Sequence, residues 1–363
     1  MFTLNNFKTG MMRANGTSTA FRSGRVRPSL LLLVVCVVGP LTVPLMGLSS
    51  SPLKSLSGLS GVLVFALPCV DQTVSSRGTE LADEGPLRSA KEDMHRSDFA
   101  AAEKILREFV QRAPHSAEGL YLLGEVLMRR DQPKESLRIF TQAAAERRPT
   151  GKELRLVGLD YILLEDYVDA VRWLKRAAEL SPNDAETWYS LGRAQYSKGD
   201  YSSAESSFRQ ALAFDSGSVK IENNLGLALA AQNQPEKAME AYRRAVGLQE
   251  NTASQSEQPL LNLGLLLIDH NQPQEAAEEL IRATVISPAC AQCQEALGQA
   301  LLALKRLPEA EKAMEKAVEL EPTNPRFHYV LGRAYKQSGE MEKSRNELQR
   351  SAELYGSHST PTK

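Results

Sequence analysis

The sequence predicts an all-α chain, a superhelical α-solenoid of antiparallel helix pairs with one pair every 34 residues. Three observations predict it. Leu-Gly or Val-Gly pairs place Gly124, Gly158, Gly192, Gly226, Gly264, Gly298 and Gly332 at intervals of 34, 34, 34, 38, 34 and 34 residues. Twelve positions after each glycine stands a small residue (Ser136, Ala170, Ala204, Ala238, Ala276, Ala310, Ser344). Four further on comes a large apolar one (Phe140, Leu174, Phe208, Tyr242, Leu280, Met314, Leu348). Composition agrees: aromatics are only 6%, and Ala, Leu, Glu, Gln and Arg dominate after residue 90, which suits helices that meet through small side chains.

The chain does not begin as a repeat. Residues 1–70 contain no Asp or Glu, and Lys8, Arg13, Arg22, Arg25 and Arg27 make 1–29 a basic stretch. An apolar segment follows over 30–70, in two runs, Leu30–Leu48 and Leu56–Val70. A basic start before an apolar run is the plan of a signal or membrane anchor. With Met46 as the start, Lys54 and the second run form an ordinary signal peptide; Met11 and Met12 are further candidate starts. Positive charge before the span keeps the N-terminus cytoplasmic and sends the body across. An organellar transit peptide and a two-span hairpin with a cytoplasm-facing body are the alternatives. Residues 71–88 read as a flexible linker, 89–356 as the repeat array and 357–363 as a tail.

Within the array, the first unit is degenerate around "GPLRSAKEDMH", although Phe99, Ala102, Leu106 and Pro114 keep the pattern of a second helix. Seven full units follow. Turn formers in "KGDY", "NQPEKA", "NQPQEA" and "SGEM" mark the bend between two helices, and Pro114, Pro182, Pro288 and Pro322 close their units. The 38-residue interval falls on the polar stretch "VGLQENTASQSEQP", where Thr252, Ser254 and Ser256 favour a loop over a longer helix.

These spacings closely resemble the tetratricopeptide repeat family over roughly residues 83–356. The resemblance implies a right-handed superhelix whose first helices line a concave groove for an extended peptide or partner protein. By that family's pattern, Lys152, Arg155, Tyr189, Arg193, Tyr196, Lys220, Asn223, Asn224 and Asn262 point into the groove. Arg326, Arg333 and Lys336 continue it, with Glu118, Glu125 and Glu295 as acidic spots. An amide donates and accepts at once, so the asparagines suit a peptide backbone. The subset that clamps a chaperone's C-terminal carboxylates has a basic residue followed four positions on by Asn. Here Leu159 follows Arg155 and Leu227 follows Asn223, so that clamp is incomplete.

No Walker loop, GxGxxG, HExxH or GxSxG is present, and no His lies at ligand spacing from another. The reading is therefore non-enzymatic, with no cofactor, no metal and no catalytic residue. A net charge of −1 argues against nucleic acid as a partner. The expected partner is a protein or extended peptide, with the membrane engaged through the N-terminal segment. Assembly or self-association through convex faces is the alternative. Cys290 and Cys293 form a C-x-x-C pair at the start of a helix, open to three readings: a local disulfide, inert thiols, or thiol-redox or shared metal chemistry.

Overall fold

The computed structural model describes residues 84–359 apart from 251 and 253, and their sixteen helices pair into eight hairpins without a strand. In chain order the hairpins are α1 (Glu84–His95) with α2 (Phe99–Arg112), α3 (Ala117–Arg129) with α4 (Pro133–Glu146), and α5 (Gly151–Leu163) with α6 (Tyr167–Leu180). Then come α7 (Ala185–Lys198) with α8 (Tyr201–Phe214), α9 (Val219–Ala231) with α10 (Pro235–Gln249), and α11 (Gln258–Asp269) with α12 (Pro273–Ile286). The last two are α13 (Ala291–Ala303) with α14 (Leu307–Leu320), and α15 (Pro325–Gln337) with α16 (Met341–Ser359).

The sequence expectations for 1–29, 30–70 and most of 71–88 lie outside the described residues. Two boundaries differ from those the sequence suggests. Residues 84–88, read as linker, are the first turn of α1, where Leu87 and Ala90 are buried against the second helix and give the segment a reason to stay helical. The tail from residue 357 likewise continues α16 to Ser359. Among the described residues no helix is long and apolar enough to cross a membrane.

The repeat pattern becomes one contact made in every full unit. A Cβ placed on Gly192 would lie 2.6 Å from Cε1 of Phe208, and one on Gly226 would lie 2.4 Å from Cε1 of Tyr242. The small residues beside these knobs, such as Ala204, Ala211, Ala238 and Ala245, are wholly buried, so the two backbones of a hairpin run close together. Between them the chain reverses through one left-handed residue per unit: Ser97, Asp131, Glu165, Gly199, Asn233, Asn271, Lys305 and Gly339. These positions keep the repeat interval, yet only two are glycine; the hairpin contact holds the others at a conformation that costs roughly 1 kcal/mol each.

Hairpins stack so that each second helix packs on the next first helix, and first helices of successive units also touch one another. Among the described residues the backbones of successive second helices lie farther apart and are bridged by long side chains, as in Arg107–Glu135. The first helices therefore form the tighter, inner layer and the second helices the outer one, which curves the array toward the first helices. At the long interval the polar stretch is a loop, as the sequence suggests. It is pinned by the buried Gln249, whose Nε2 donates to the Ser256 carbonyl (2.9 Å) while its Oε1 accepts from the Ser256 N–H (3.0 Å).

One carboxyl sits inside this packing. Asp160 on α5 is wholly buried, and burial pushes its pKa up to about 8 against the opposing Ser136 hydrogen bond. The Ser136 hydroxyl lies 2.6 Å from Asp160 Oδ2 and 2.9 Å from the Gly124 carbonyl, but has one proton. Both contacts are hydrogen bonds only if Asp160 is protonated and donates to Ser136, which then donates to Gly124.

Two outcomes follow. In Gly192→Ala the new methyl meets a Phe208 ring that is wholly buried and cannot swing away. Overpacking exceeds the gain in helix propensity, so urea denaturation should show a net loss of roughly 1–2 kcal/mol, relieved by Phe208→Leu. The Asp160 contribution is complete below its ordinary pKa of 3.8 and is lost as pH rises through about 8. Denaturation of the wild type from pH 5 to 8 should therefore show a decline of up to ~1.4 kcal/mol per unit that Asp160→Asn lacks.

Candidate peptide-binding groove

The inner layer carries a polar ladder whose rungs join consecutive units. Lys91 Nζ lies 2.5 Å from Glu118 Oε1, Lys152 Nζ lies 3.0 Å from Glu125 Oε2, and Arg155 Nε lies 3.5 Å from Asp184 Oδ2. Lys220 pairs with Glu186, Asn262 Nδ2 donates to Asn223 Oδ1 at 2.9 Å, and Arg326 Nη2 lies 3.2 Å from Glu295 Oε1. The cause is register. First helices touch in parallel, so a residue faces its counterpart one repeat on, or a residue from one position after to seven before that counterpart. Lys220 is 34 residues beyond Glu186, and Lys152 is 27 beyond Glu125.

Of the cations the sequence assigns to the groove, Lys152, Arg155 and Lys220 thus already face carboxylates from an adjoining unit. Arg193 does not. Among the described residues its guanidinium has no ion pair or hydrogen bond, and it lies 5.7 Å from the centroid of the Tyr189 ring. Lys220 Nζ sits over the same ring at 4.9 Å, and Asn224 Nδ2 approaches the Tyr189 hydroxyl at 3.4 Å. Tyr189, Arg193, Lys220 and Asn224 therefore come together around one aromatic ring on α7 and α9. Asn223 and Asn262 form their own rung one unit on.

Tyr189 is itself buried and packs against Phe208, the knob of its own unit, with ring centroids 6.1 Å apart. Burial raises its phenol above the ordinary range, which keeps the ring neutral beside the two cations. Asn224 is buried as well. Its Nδ2 donates to the Lys220 carbonyl at 2.7 Å, which fixes the amide's orientation because that carbonyl can only accept. Its Oδ1 is left buried with no hydrogen-bond partner, as is Nε of Arg155. Tyr196 is also buried, packed on Tyr201 at 5.2 Å rather than open to the groove.

Further along, Glu295 is 3% exposed and takes Arg326 and Gln299 as partners. Burial raises its pKa and Arg326 opposes the rise. On the last unit Arg333 and Lys336 are exposed and have no ion pair among the described residues, Arg333 lying 6.0 Å from the exposed Tyr329 ring. Asp184 and Glu186 were missed by sequence reasoning. The signal was there in opposite charges at repeat spacing, as in Glu186 and Lys220. Cys290 and Cys293 are joined by a disulfide, S–S 2.08 Å. No group of three or more His, Cys, Asp or Glu side chains among the described residues is arranged to hold a metal.

Comparison with known proteins gives the following. A family model described as tetratricopeptide repeat matches residues 87–152, 189–254 and 261–325; a second of the same description matches 301–357, and a model described as TPR repeat matches 158–199. The small glutamine-rich tetratricopeptide repeat-containing protein 2 of Saccharomyces cerevisiae is 25% identical over 112 residues, 31% of this chain and 32% of that protein. The heat shock protein sti1 homolog of Schizosaccharomyces pombe is 30% identical over 131 residues, 32% of this chain and 20% of that protein. The chain thus spans a third or less of the curated relatives it matches. Among solved structures, the APC/C hetero-tetramer Cut9–Hcn1 aligns with TM-score 0.51 at 17% identity, over 77% of this chain and 54% of the other. Pseudomonas aeruginosa PilF aligns with TM-score 0.50 at 20% identity, over 57% and 92%. Both likenesses are of fold.

The rungs differ in burial, and their removal should differ accordingly. Arg326→Ala leaves the buried Glu295 with Gln299 as a hydrogen-bond partner but no counter-charge, a loss of roughly 3 kcal/mol that Glu295→Gln relieves. Lys220→Ala removes a pair about half exposed on each side and should cost less than about 1 kcal/mol in the same urea titration.

Proposed function

The chain belongs to the tetratricopeptide repeat family, and we propose that it is a non-enzymatic scaffold that holds an extended peptide or a segment of a partner protein in the groove of its first helices. The observation that carries this reading is the cluster on Tyr189. Arg193 is a groove cation with all of its donors unused, and Asn224 beside it has an acceptor unused. A peptide unit offers one N–H and one C=O, the complement of that pair. Neighbouring lysines and arginines are tied to carboxylates, so the groove selects by hydrogen bonds to backbone more than by bulk charge. Net charge of −1 keeps nucleic acid out of the proposal.

Export or membrane tethering belongs to the same proposal, resting on the acid-free basic stretch 1–29 and the apolar segment 30–70. N-terminal sequencing of the protein from membrane and soluble fractions tests it: a start at Leu67 or shortly after supports cleavage, an intact leader in the membrane fraction supports tethering, and an intact leader in the soluble fraction removes the proposal. A second reading, an assembly module, is favoured by Leu180 and Phe214, which stand 34 residues apart in the outer layer and are 53% and 46% exposed.

Substituting Arg193→Ala together with Asn224→Ala should lower capture of native partners on immobilised protein at least about tenfold, while circular dichroism keeps its helical signal. Undiminished capture by this variant, with loss in Leu180→Glu/Phe214→Glu, would transfer the function to the outer layer.

A further inference from the structure

We propose that Cys290 and Cys293 form a thiol–disulfide exchange site, in which Cys290 is the sulfur attacked by an incoming thiolate. The position carries the argument. Cys290 is the N-cap of α13, and an oxygen-bearing side chain stands at the same register in the neighbouring units: Ser116, Thr150, Asp184, Ser218, Ser256 and Asn324. A serine there would cap the helix better than sulfur. The bridge also joins residues only three apart, within a helical turn already fixed by its backbone. Closing so short a loop constrains the unfolded chain little. As a structural device the pair is therefore poor on both counts.

For exchange chemistry the same features are suited. The Cys290 sulfur accepts a hydrogen bond from the Cys293 N–H at 3.1 Å, and the first turn of α13 contains no acidic residue. A helix N-terminus and a backbone donor both favour a thiolate over a thiol. The two sulfurs differ in access. Cys293 is wholly buried, whereas Cys290 is half-buried behind the exposed Pro288 and Ala289. An attacking group is thus directed to Cys290.

The step balances as a two-electron transfer from a dithiol. A thiolate of the dithiol bonds to Cys290 Sγ, the Cys290–Cys293 bond breaks, and its electron pair leaves on Cys293 Sγ, which takes up a proton. The second thiol, deprotonated, then attacks its own partner sulfur in the mixed disulfide. Cys290 departs as a thiolate held by the Cys293 N–H, leaving the dithiol oxidised and the protein pair reduced. A small disulfide of the glutathione class restores the bridge by the reverse sequence. Gln292 and Glu295, at groove-lining positions of the same helix, put the bridge at the groove's edge, so the natural dithiol is a cysteine pair on a bound protein. That last assignment rests on the groove reading; exchange with glutathione does not.

The test uses the full chain with glutathione as the probe, and peptide mapping separates Cys290 and Cys293 from Cys36 and Cys69. In the reduced protein at pH 7, Cys290 should be alkylated by iodoacetamide about tenfold faster than glutathione itself. Oxidised glutathione should form an adduct on Cys290 in Cys293→Ser, and little on Cys293 in Cys290→Ser. Alkylation of Cys290 no faster than glutathione, or equal adducts on the two variants, overturns the proposal whatever the groove variants show.

Discussion

The structure depends on one close approach, repeated in each of the seven full units: a glycine on the first helix receives a bulky side chain from the second, and the first unit has Ala90 in its place. With a Cβ at Gly192 the Phe208 ring would have to move, and because that ring is buried the helices would separate instead. Close approach brings the small residues of the second helix into contact, and a hairpin too thin to bury its own stripes gains a neighbour by stacking. The left-handed turn residues follow from the same constraint. Glu165 and Lys305 accept a conformation better suited to glycine because the hairpin they close leaves no other path.

Stacking also decides the electrostatics of the groove. First helices lie side by side and parallel, so groove charges in one unit meet those of the next. The sequence uses this to join units: lysine or arginine on one, carboxylate on another, asparagine to asparagine once. Exposed rungs such as Lys220–Glu186 add little stability, whereas Glu295 is buried deeply enough that its Arg326 partner fixes the junction of the last two units. The outer layer has its own inter-unit pairs, Arg107 with Glu135 and Arg243 with Glu275, so units are tied at both radii.

The fold was legible in the sequence because its cause is periodic. Gly, Ala and large apolar residues recur at fixed offsets, and the polar stretch after Gln249 announced the one loop that breaks the interval. Which residues fall on the first helices was legible from the same register. What the side chains do there was not. Lys152, Arg155 and Lys220 read as free cations when each unit is considered alone, since their partners lie 27 to 34 residues away. The buried state of Asp160 was hidden for a different reason: its partner Ser136 occupies a position where every other full unit but the last has alanine, and the added hydroxyl gives a neutral carboxyl a hydrogen-bond partner.

This neutralisation bears on recognition. An acidic ligand must compete with Glu125, Asp184 and Glu186 for cations those carboxylates already hold, and each exchange of one ion pair for another gains little. A peptide backbone does not compete for them. It needs donors and acceptors that are already short of partners, and around Tyr189 these are the Arg193 guanidinium and the Asn224 carbonyl oxygen. Because that oxygen is buried in the free protein, a ligand reaches it only by shifting a covering side chain. Its worth depends on being desolvated before the ligand arrives, since an acceptor without water has no hydration to lose on binding. On the proposed reading, the same packing that presses Tyr189 onto Phe208 prepares the groove floor, and the helix contact that defines the repeat would also set where a backbone is held.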